Sequence, residues 1–358
     1  MILRPERLAL VLAVVALAVA LPARAAPNFA DVLAGAKREG AIEVWIATPA
    51  ANRVHRALFD AFEKRFGLKT SWKWLALHPV RSTARLAAEA TVGRATADIL
   101  GGSSGDNVAR LADLKLVKPY PWVEVFGAEL PAIREPVARI LPELAGLGLV
   151  WIDNVYVVAW NTKFVKAEEA PRRIRDFLDP KWRGKFALNV LSGAPFDLLG
   201  LRLGEAETLA LVRRMMANRP ILKGGTPAVS SAITSGEAHL GISSFLSVER
   251  ARHNGEPQTY RFFDDDIPAM PLHVFVPENA PHPNTARLFA AWLVTEGARI
   301  VEKLDSSSRM TDPGSALATA LKAVPPGARF VQEQSLADIE FTRAISTKIE
   351  AIFTGHSP

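Results

Sequence analysis

Apolar and polar positions along the chain alternate between a helical period and a strand period. Residues 29–38 repeat apolar side chains at helical spacing and stop at Gly40, a residue suited to a helix C-terminus. Residues 42–47 form a short β-type run, which Thr48-Pro49-Ala50 ends. Leu58, Phe59, Phe62 and Phe66 mark an amphipathic helix over 54–66, closed by Gly67. Residues 68–75 read as a strand with Trp72 and Trp74 on one face. A helix is expected over 83–92, and 97–100 is a short buried strand running into Gly101-Gly102-Ser103-Ser104-Gly105. A long apolar run at 149–160 predicts a strand, as do 185–189, 238–242 and 272–276. Helices are expected over 206–217, 229–235, 284–295 and 335–352. Strands alternating with helices at this rhythm predict α/β layers.

The first 25 residues have a different pattern. Arg4 and Arg7 precede an uncharged apolar run over 8–21, and Ala23-Arg24-Ala25 follows with small residues at the −3 and −1 positions. This is the pattern of a cleaved signal peptide, and the run is short of the roughly 20 residues a spanning helix needs. Its removal takes three Arg and one Glu from a chain of formal charge +6 and leaves +4. The expected location is therefore the periplasm. The 333 residues that remain exceed the usual size of a single core, so two domains are expected.

Composition then narrows the chemistry. The chain has no cysteine, which excludes thiol catalysis, thiolate zinc sites and cysteine-ligated clusters. Lys and Arg are interspersed with acids and form no long basic run among exposed aromatics, so no nucleic-acid partner is expected. There is no Gly-x-Ser-x-Gly elbow, His-Glu-x-x-His pair or phosphate-binding Gly-Lys-Ser/Thr loop. No enzymatic activity, cofactor or metal is expected. Asp264-Asp265-Asp266 lacks the alternating spacing of a calcium loop and reads as a solvated turn, with the lobe hinge as one possible place for it.

Several segments resemble extracellular solute-binding proteins that serve ABC importers for ferric iron, thiamine, polyamines and related solutes. They are Ala36-Lys37-Arg38-Glu39-Gly40, Ala97-Asp98-Ile99-Leu100-Gly101-Gly102-Ser103-Ser104-Gly105, and Asp176-Phe177-Leu178-Asp179-Pro180-Lys181-Trp182-Arg183-Gly184-Lys185. Ala232-Ile233-Thr234-Ser235-Gly236-Glu237-Ala238 and Leu293-Val294-Thr295-Glu296-Gly297-Ala298 complete the series. The resemblance implies the two-lobed type 2 periplasmic-binding fold, with a ligand cleft between lobes. It places the first lobe at 27–100 plus 271–300 and the second at 101–270 plus 301–358. It also implies a small-molecule ligand, an inner-membrane permease as partner, and a monomer.

In α/β sheets, loops that leave strand ends and open helices face the crevice, and their free N–H groups suit anionic oxygens. That criterion selects Ser103 and Ser104, Ser192 in Ser192-Gly193-Ala194, Thr226 after Gly225, and Ser243-Ser244-Phe245. Each loop also has the plainer reading of a capped helix start. Thr48 and Trp45 end the first strand. Trp45 and Trp151 either pack a ligand or fill a core, and Arg81, Arg85 and Arg94 offer charge near the first lobe's face. Phe245 is expected to open into the cleft as an apolar wall. In ferric-binding members the resembling stretch carries adjacent tyrosines, whereas Ser244 and Phe245 stand there here. With only Tyr120, Tyr156 and Tyr260 in the chain, none adjacent, no tight ferric site is expected; the Gly/Ser/Thr-rich loops with free N–H groups and the charge of +4 point instead to a small organic anion. Ferric iron, a cationic solute, or a sensing role beside a membrane receptor are the alternatives.

Overall fold

Gly40 adopts the left-handed conformation (φ 59°) that ends α1 (Phe29–Glu39) and turns the chain into β1 (Ala41–Ile46). An Ala there would be strained, whereas glycine has no Cβ to clash. From this start, the computed structural model, which describes residues 27–355, builds a lobe of parallel strands and covering helices. The signal-peptide expectation falls outside the described residues. Among the described residues, no helix is long and apolar enough to cross a membrane.

In the first lobe, β1 is followed by α2 (Asn52–Phe66), β2 (Ser71–Leu75), α3 (Pro79–Thr91), β3 (Ile99–Ser103) and α4 (Gly105–Asp113). The short helices α5 (Trp122–Phe126) and α6 (Arg134–Ala138) come next. β1 lies between β2 and β3, parallel to both, with Trp45 opposite Leu75 on one side and Leu100 on the other. Val44, Trp45 and Ile46 are buried, as expected of a parallel strand covered on both faces. Trp72 stacks on Phe59 at 4.8 Å and Trp74 on His55 at 4.3 Å, so the two tryptophans hold α2 against one face.

The second lobe begins along β4 (Leu149–Asn161) and holds β5 (Phe186–Asn189), α7 (Phe196–Leu203), α8 (Glu205–Ala217) and β6 (Ile221–Lys223). It continues with α9 (Thr226–Ser235), β7 (Leu240–Ser244), α10 (Phe245–His253) and β8 (Gln258–Arg261). β9 (Asp266–Phe275) then returns to the first lobe, where α11 (Pro283–Leu293) and α12 (Glu296–Asp305) complete the core. The chain recrosses through 306–315 to α13 (Ala316–Ala320), β10 (Arg329–Val331) and α14 (Leu336–Phe353). The strand order is β2-β1-β3-β9-β4-β7-β5-β6, with β10 on β9 and β8 on β4. β4 pairs antiparallel with β9 from Leu149↔Val274 to Val155↔Ala269, then with β7 from Tyr156↔Ser244 onward. These two long strands are the structural core of the hinge.

Segment 101–147 lies differently from the sequence expectation, which ended the first lobe at residue 100. Val108, Leu111, Ile140 and Leu144 pack around Trp45 and Leu100, while Trp122, Phe126 and Ile133 pack with Phe59 and Trp292. α4 is amphipathic, and its apolar face, with Val108 and Leu111, packs into the first lobe. Of the acidic run 264–266, Asp264 and Asp265 lie between β8 and β9 and Asp266 opens β9; Asp264 is near Arg172 (3.3 Å) and Asp266 near Arg202 (3.4 Å).

A charged network braces the hinge. Asp153, in the middle of β4, accepts two 2.8 Å bonds from Arg139 and one of 2.7 Å from the Met310 N–H. Its own N–H donates to Ser308 O (3.1 Å), tying the 306–315 crossing to β4. Arg309, almost wholly buried, donates to Val294 O (2.7 Å) and pairs with Asp312 (2.6 Å) and Glu135 (3.1 Å).

Candidate functional site

The ends of β5, β6 and β7 gather three loops on the second lobe. Asn189 closes β5, and its Oδ1 accepts from the N–H groups of Leu191 (3.0 Å) and Gly225 (2.9 Å). One side chain thus fixes the Ser192 loop against the Thr226 loop. Gly225 holds φ 99°, a conformation open to glycine, and precedes α9 without a side-chain cap. α7 has no N-cap side-chain bond, but its first N–H groups are taken: those of Phe196 and Asp197 donate to Gly193 O, and that of Leu198 to Asp197 Oδ1. Ser192 and Thr226 are half-buried at the mouths of these loops.

Thr226, Ser243 and Ser244 come together, but they turn inward. Ser243 Oγ donates to Thr226 O (3.1 Å), Ser244 Oγ to Thr226 Oγ1 (3.2 Å), and Ser244 Oγ lies 2.7 Å from Ser247 Oγ. Ser244 is also the N-cap of α10, accepting from the Ser247 N–H. Ser243 and Ser244 are fully buried. The expectation that Phe245 walls the cleft is corrected. Its ring is 2 % exposed, edge-on to Tyr260 at 5.2 Å and parallel to Phe262 at 6.3 Å, inside the second lobe's core. Ser244 is the last residue of β7, so the side chain that follows it starts a helix and points back into the layer that helix covers.

On the first lobe, Ser104 is half-buried at the start of α4 and accepts from Asn107 Nδ2 (3.1 Å). Ser103 is buried; its carbonyl accepts from His273 Nδ1 (3.1 Å), and its hydroxyl has no partner among the described residues. Trp45 takes the core alternative: its ring is buried, its Nε1 donates to Glu43 (2.7 Å), and the Arg85 guanidinium lies 4.2 Å over it. Arg85 is also paired with Glu89 (2.8 Å), which leaves it engaged within its own helix region. Trp151 is buried in the first lobe's core. Thr48 is half-buried just after β1. Arg81 is exposed in the first turn of α3, beside His78, and has no ion pair among the described residues.

The sequence reading missed a polar group between the two lobes. Asp197, in the first turn of α7, is buried, and its carboxyl is pushed up to about 7 by burial and by Glu333 and Glu350. Bonds from the Leu198 N–H and the Ser346 hydroxyl oppose that shift. Burial and the neighbouring Asp106 and Asp338 also raise Glu333, against bonds from Thr342 and the Arg343 charge. Burial and the Asp197 charge push the Tyr156 phenol upward. These residues come from α4, β4, α7 and the 332–350 stretch, which lie far apart in sequence, so no local motif marks them.

Two buried groups here have opposite pH signatures. Asp197 keeps a proton in the fold that the unfolded chain has lost above its ordinary 3.8, so its contribution is greatest at low pH and fades as pH rises toward about 7. Burial pushes His273 down to about 4, so the fold excludes a proton that the unfolded chain takes up below 6.5. Its contribution is present above 6.5 and lost as pH falls toward 4. Across that window the two slopes oppose each other. Asp197→Asn should remove the first, so stability of the variant falls more steeply on acidification, by up to about 1.4 kcal/mol per pH unit. Urea titrations at pH 4.5, 5.5 and 6.5 measure it; parallel curves for variant and parent would contradict the buried, protonated carboxyl.

No protein-family model matches the chain, and no curated protein sequence matches it significantly. Solved structures do. Iron-bound HitA from Pseudomonas aeruginosa superposes with a TM-score of 0.66 at 18% identity, over 87% of this chain and 98% of that one. A substrate-binding protein of an ABC transporter from Agrobacterium tumefaciens gives 0.69 at 16%, over 88% and 96%. The chain has the type 2 periplasmic-binding-protein fold. AfuA from Actinobacillus pleuropneumoniae, a periplasmic binding protein with fructose-6-phosphate bound, gives 0.64 at 17%, over 88% and 97%.

Proposed function

We propose that the protein is a periplasmic receptor that closes its lobes around a small organic solute carrying an anionic group and delivers it to an ABC importer. It binds without altering the solute, needs no cofactor and acts as a monomer. The observation that carries this reading is the pair of loops tied by Asn189, one of which opens α9 without a side-chain cap. Uncapped N–H groups at helix starts favour carboxylate or phosphate oxygens. Exposed Arg81 supplies a cation from the first lobe. The described relatives with bound iron or a sugar phosphate bind small solutes, in keeping with this reading.

A cationic solute is the second reading, favoured by the carboxyl groups of Asp106, Asp197 and Glu333 between the two lobes. Ferric iron fits the residues poorly. Burial raises Tyr120 and pushes Tyr260 up to about 12, and raises Tyr156 as well, so no phenol ionises readily. Phenolates are the strong ferric ligands that serine and phenylalanine cannot replace.

A thermal-shift screen over carboxylates, sugar phosphates, polyamines, thiamine and ferric citrate tests both readings, with calorimetry on any hit. Stabilisation by an anionic compound, recovered intact after binding, is expected, and no visible charge-transfer band should appear with ferric citrate. Stabilisation by polyamines alone would transfer the assignment to the second reading, and turnover of a hit would refute the receptor.

A further inference from the structure

The end of the chain does something that a simple two-strand hinge does not require. β10 runs parallel to the second-lobe end of β9, from Arg329↔Asp266 to Val331↔Pro268, and so leads the chain toward the first lobe. Glu333 then lies beside Gly105, the first residue of α4, and accepts from the Thr342 hydroxyl. One turn into α14, Ile339 is fully buried in the first lobe's cluster with Trp45, Leu86, Leu100 and Val108. A turn later Arg343 pairs with Asp106 of α4. The next turn belongs to the other lobe. Ser346 Oγ accepts from the Gly193 N–H at 2.8 Å, and Ile345, Ile349 and Phe353 are buried in the second lobe's core.

One helix therefore has its first turns seated in one lobe and its remainder in the other, against two loops that flank the lobe junction. The fit is close at both. A methyl group added at Gly105 would stand 3.0 Å from Ile339 Cδ1, and one at Gly193 would stand 2.5 Å from Ser346 Oγ. An 18-residue helix is about 27 Å long and does not kink without a proline, a bulge or an inserted group. The lobes cannot rotate apart about β4 and β9 while both ends of this helix stay seated.

We infer that β10 and α14 form a strap that latches the lobes together, and that the strap releases at its first-lobe end. That end has one fully buried apolar side chain, Ile339, and a half-exposed ion pair, which contributes little. The other end has three buried apolar side chains. The weaker end opens first. The inference does not depend on which solute is bound.

Because the chain has no cysteine, two introduced thiols label it cleanly. Lys64→Cys on α2 and Arg213→Cys on α8 place spin labels at exposed positions on opposite lobes. Dipolar distance measurements then compare this labelled background with Ile339→Ala, with Arg343→Glu, and with the swapped pair Asp106→Arg and Arg343→Glu. Ile339→Ala should raise the population of long interlobe distances by about tenfold or more. Arg343→Glu should raise it less, and the swap should return the distribution to that of the background. Circular dichroism confirms that each variant is folded; if Ile339→Ala does not fold, the charge reversal and its swap decide. A distribution unchanged by every folded variant would overturn the strap, as would an opening by Arg343→Glu that the swap leaves in place.

Discussion

Replacing Asp153 with Ala should lower the stability of the protein by about 3–5 kcal/mol, one of the two largest losses expected of a single substitution here. Asp153 is buried in the middle of β4 and satisfies Arg139 through two bonds and the Met310 N–H through a third. Truncation removes the acceptor for all three donors. Arg139, largely buried itself, keeps Glu135 at 3.7 Å and the more distant Asp312 charge, and no side-chain hydrogen bond among the described residues. An uncompensated guanidinium and an unpaired N–H in a buried hinge cost far more than the pair contributes when intact. Asp153→Asn keeps an oxygen for Met310 and part of the Arg139 contact, so it should lose roughly 1–2 kcal/mol. Thermal unfolding of the two variants measures the difference; equal, small losses in both would mean that Arg139 finds water or another partner at little cost. The site also joins β4 to the 306–315 crossing, so the Ala variant should show faster hydrogen exchange at 306–312 than on α2 or α8.

The same strand shows how far the sequence could be read. Its long apolar run predicts a strand over 149–160, close to the observed Leu149–Asn161. Nothing in that run says that one strand serves two lobes, because both halves are buried and both read as apolar. Gly40, Gly67 and Gly236 were legible as helix ends, since each adopts a left-handed backbone conformation that glycine tolerates. The α/β alternation was legible for the same reason: local periods report local geometry. Lobe membership was not. Residues 105–147 carry apolar side chains that either lobe accepts in principle, and only the packing of Leu111 and Trp122 assigns them to the first.

The candidate site divides along the same line. Strand ends at Ser103, Asn189 and Ser244 were found or closely bracketed by the β-type runs before them. The direction of the side chains at those ends was not. Asn189 was passed over as the end of a strand, although an Asn in that place often bonds backbone N–H groups of the turn that follows. Glu333, Arg343 and Ser346 had no signal at all, since their contacts with Gly105, Asp106 and Gly193 join positions more than 150 residues apart. A carboxyl such as Asp197 reads from sequence as an ordinary helix-start acid, and burial alone changes its chemistry.

Phe245 makes the distinction measurable. As a cleft wall it would lose ligand affinity on truncation and little stability. As the first residue of α10, buried against Tyr260 and Phe262, it should do the reverse. Phe245→Ala removes a fully enclosed ring and leaves a cavity, so a stability loss of about 3–5 kcal/mol is expected. Phe245→Leu keeps most of the volume and should lose less than half of that. The folded fraction of either variant should bind a solute found in the screen with an affinity within about threefold of the parent. Ser192→Ala or Arg81→Ala should instead weaken binding with little change in stability. Tyr260 gives a second readout. Burial, aided by Glu249, holds its phenol at about 12, and opening the Phe245 cavity admits water beside the ring. Better hydration of the phenolate should move that value back toward 10, visible as an earlier tyrosinate absorbance in an alkaline titration. Stability close to the parent, an unshifted tyrosinate transition and a large loss of affinity in Phe245→Ala would together return this ring to the cleft.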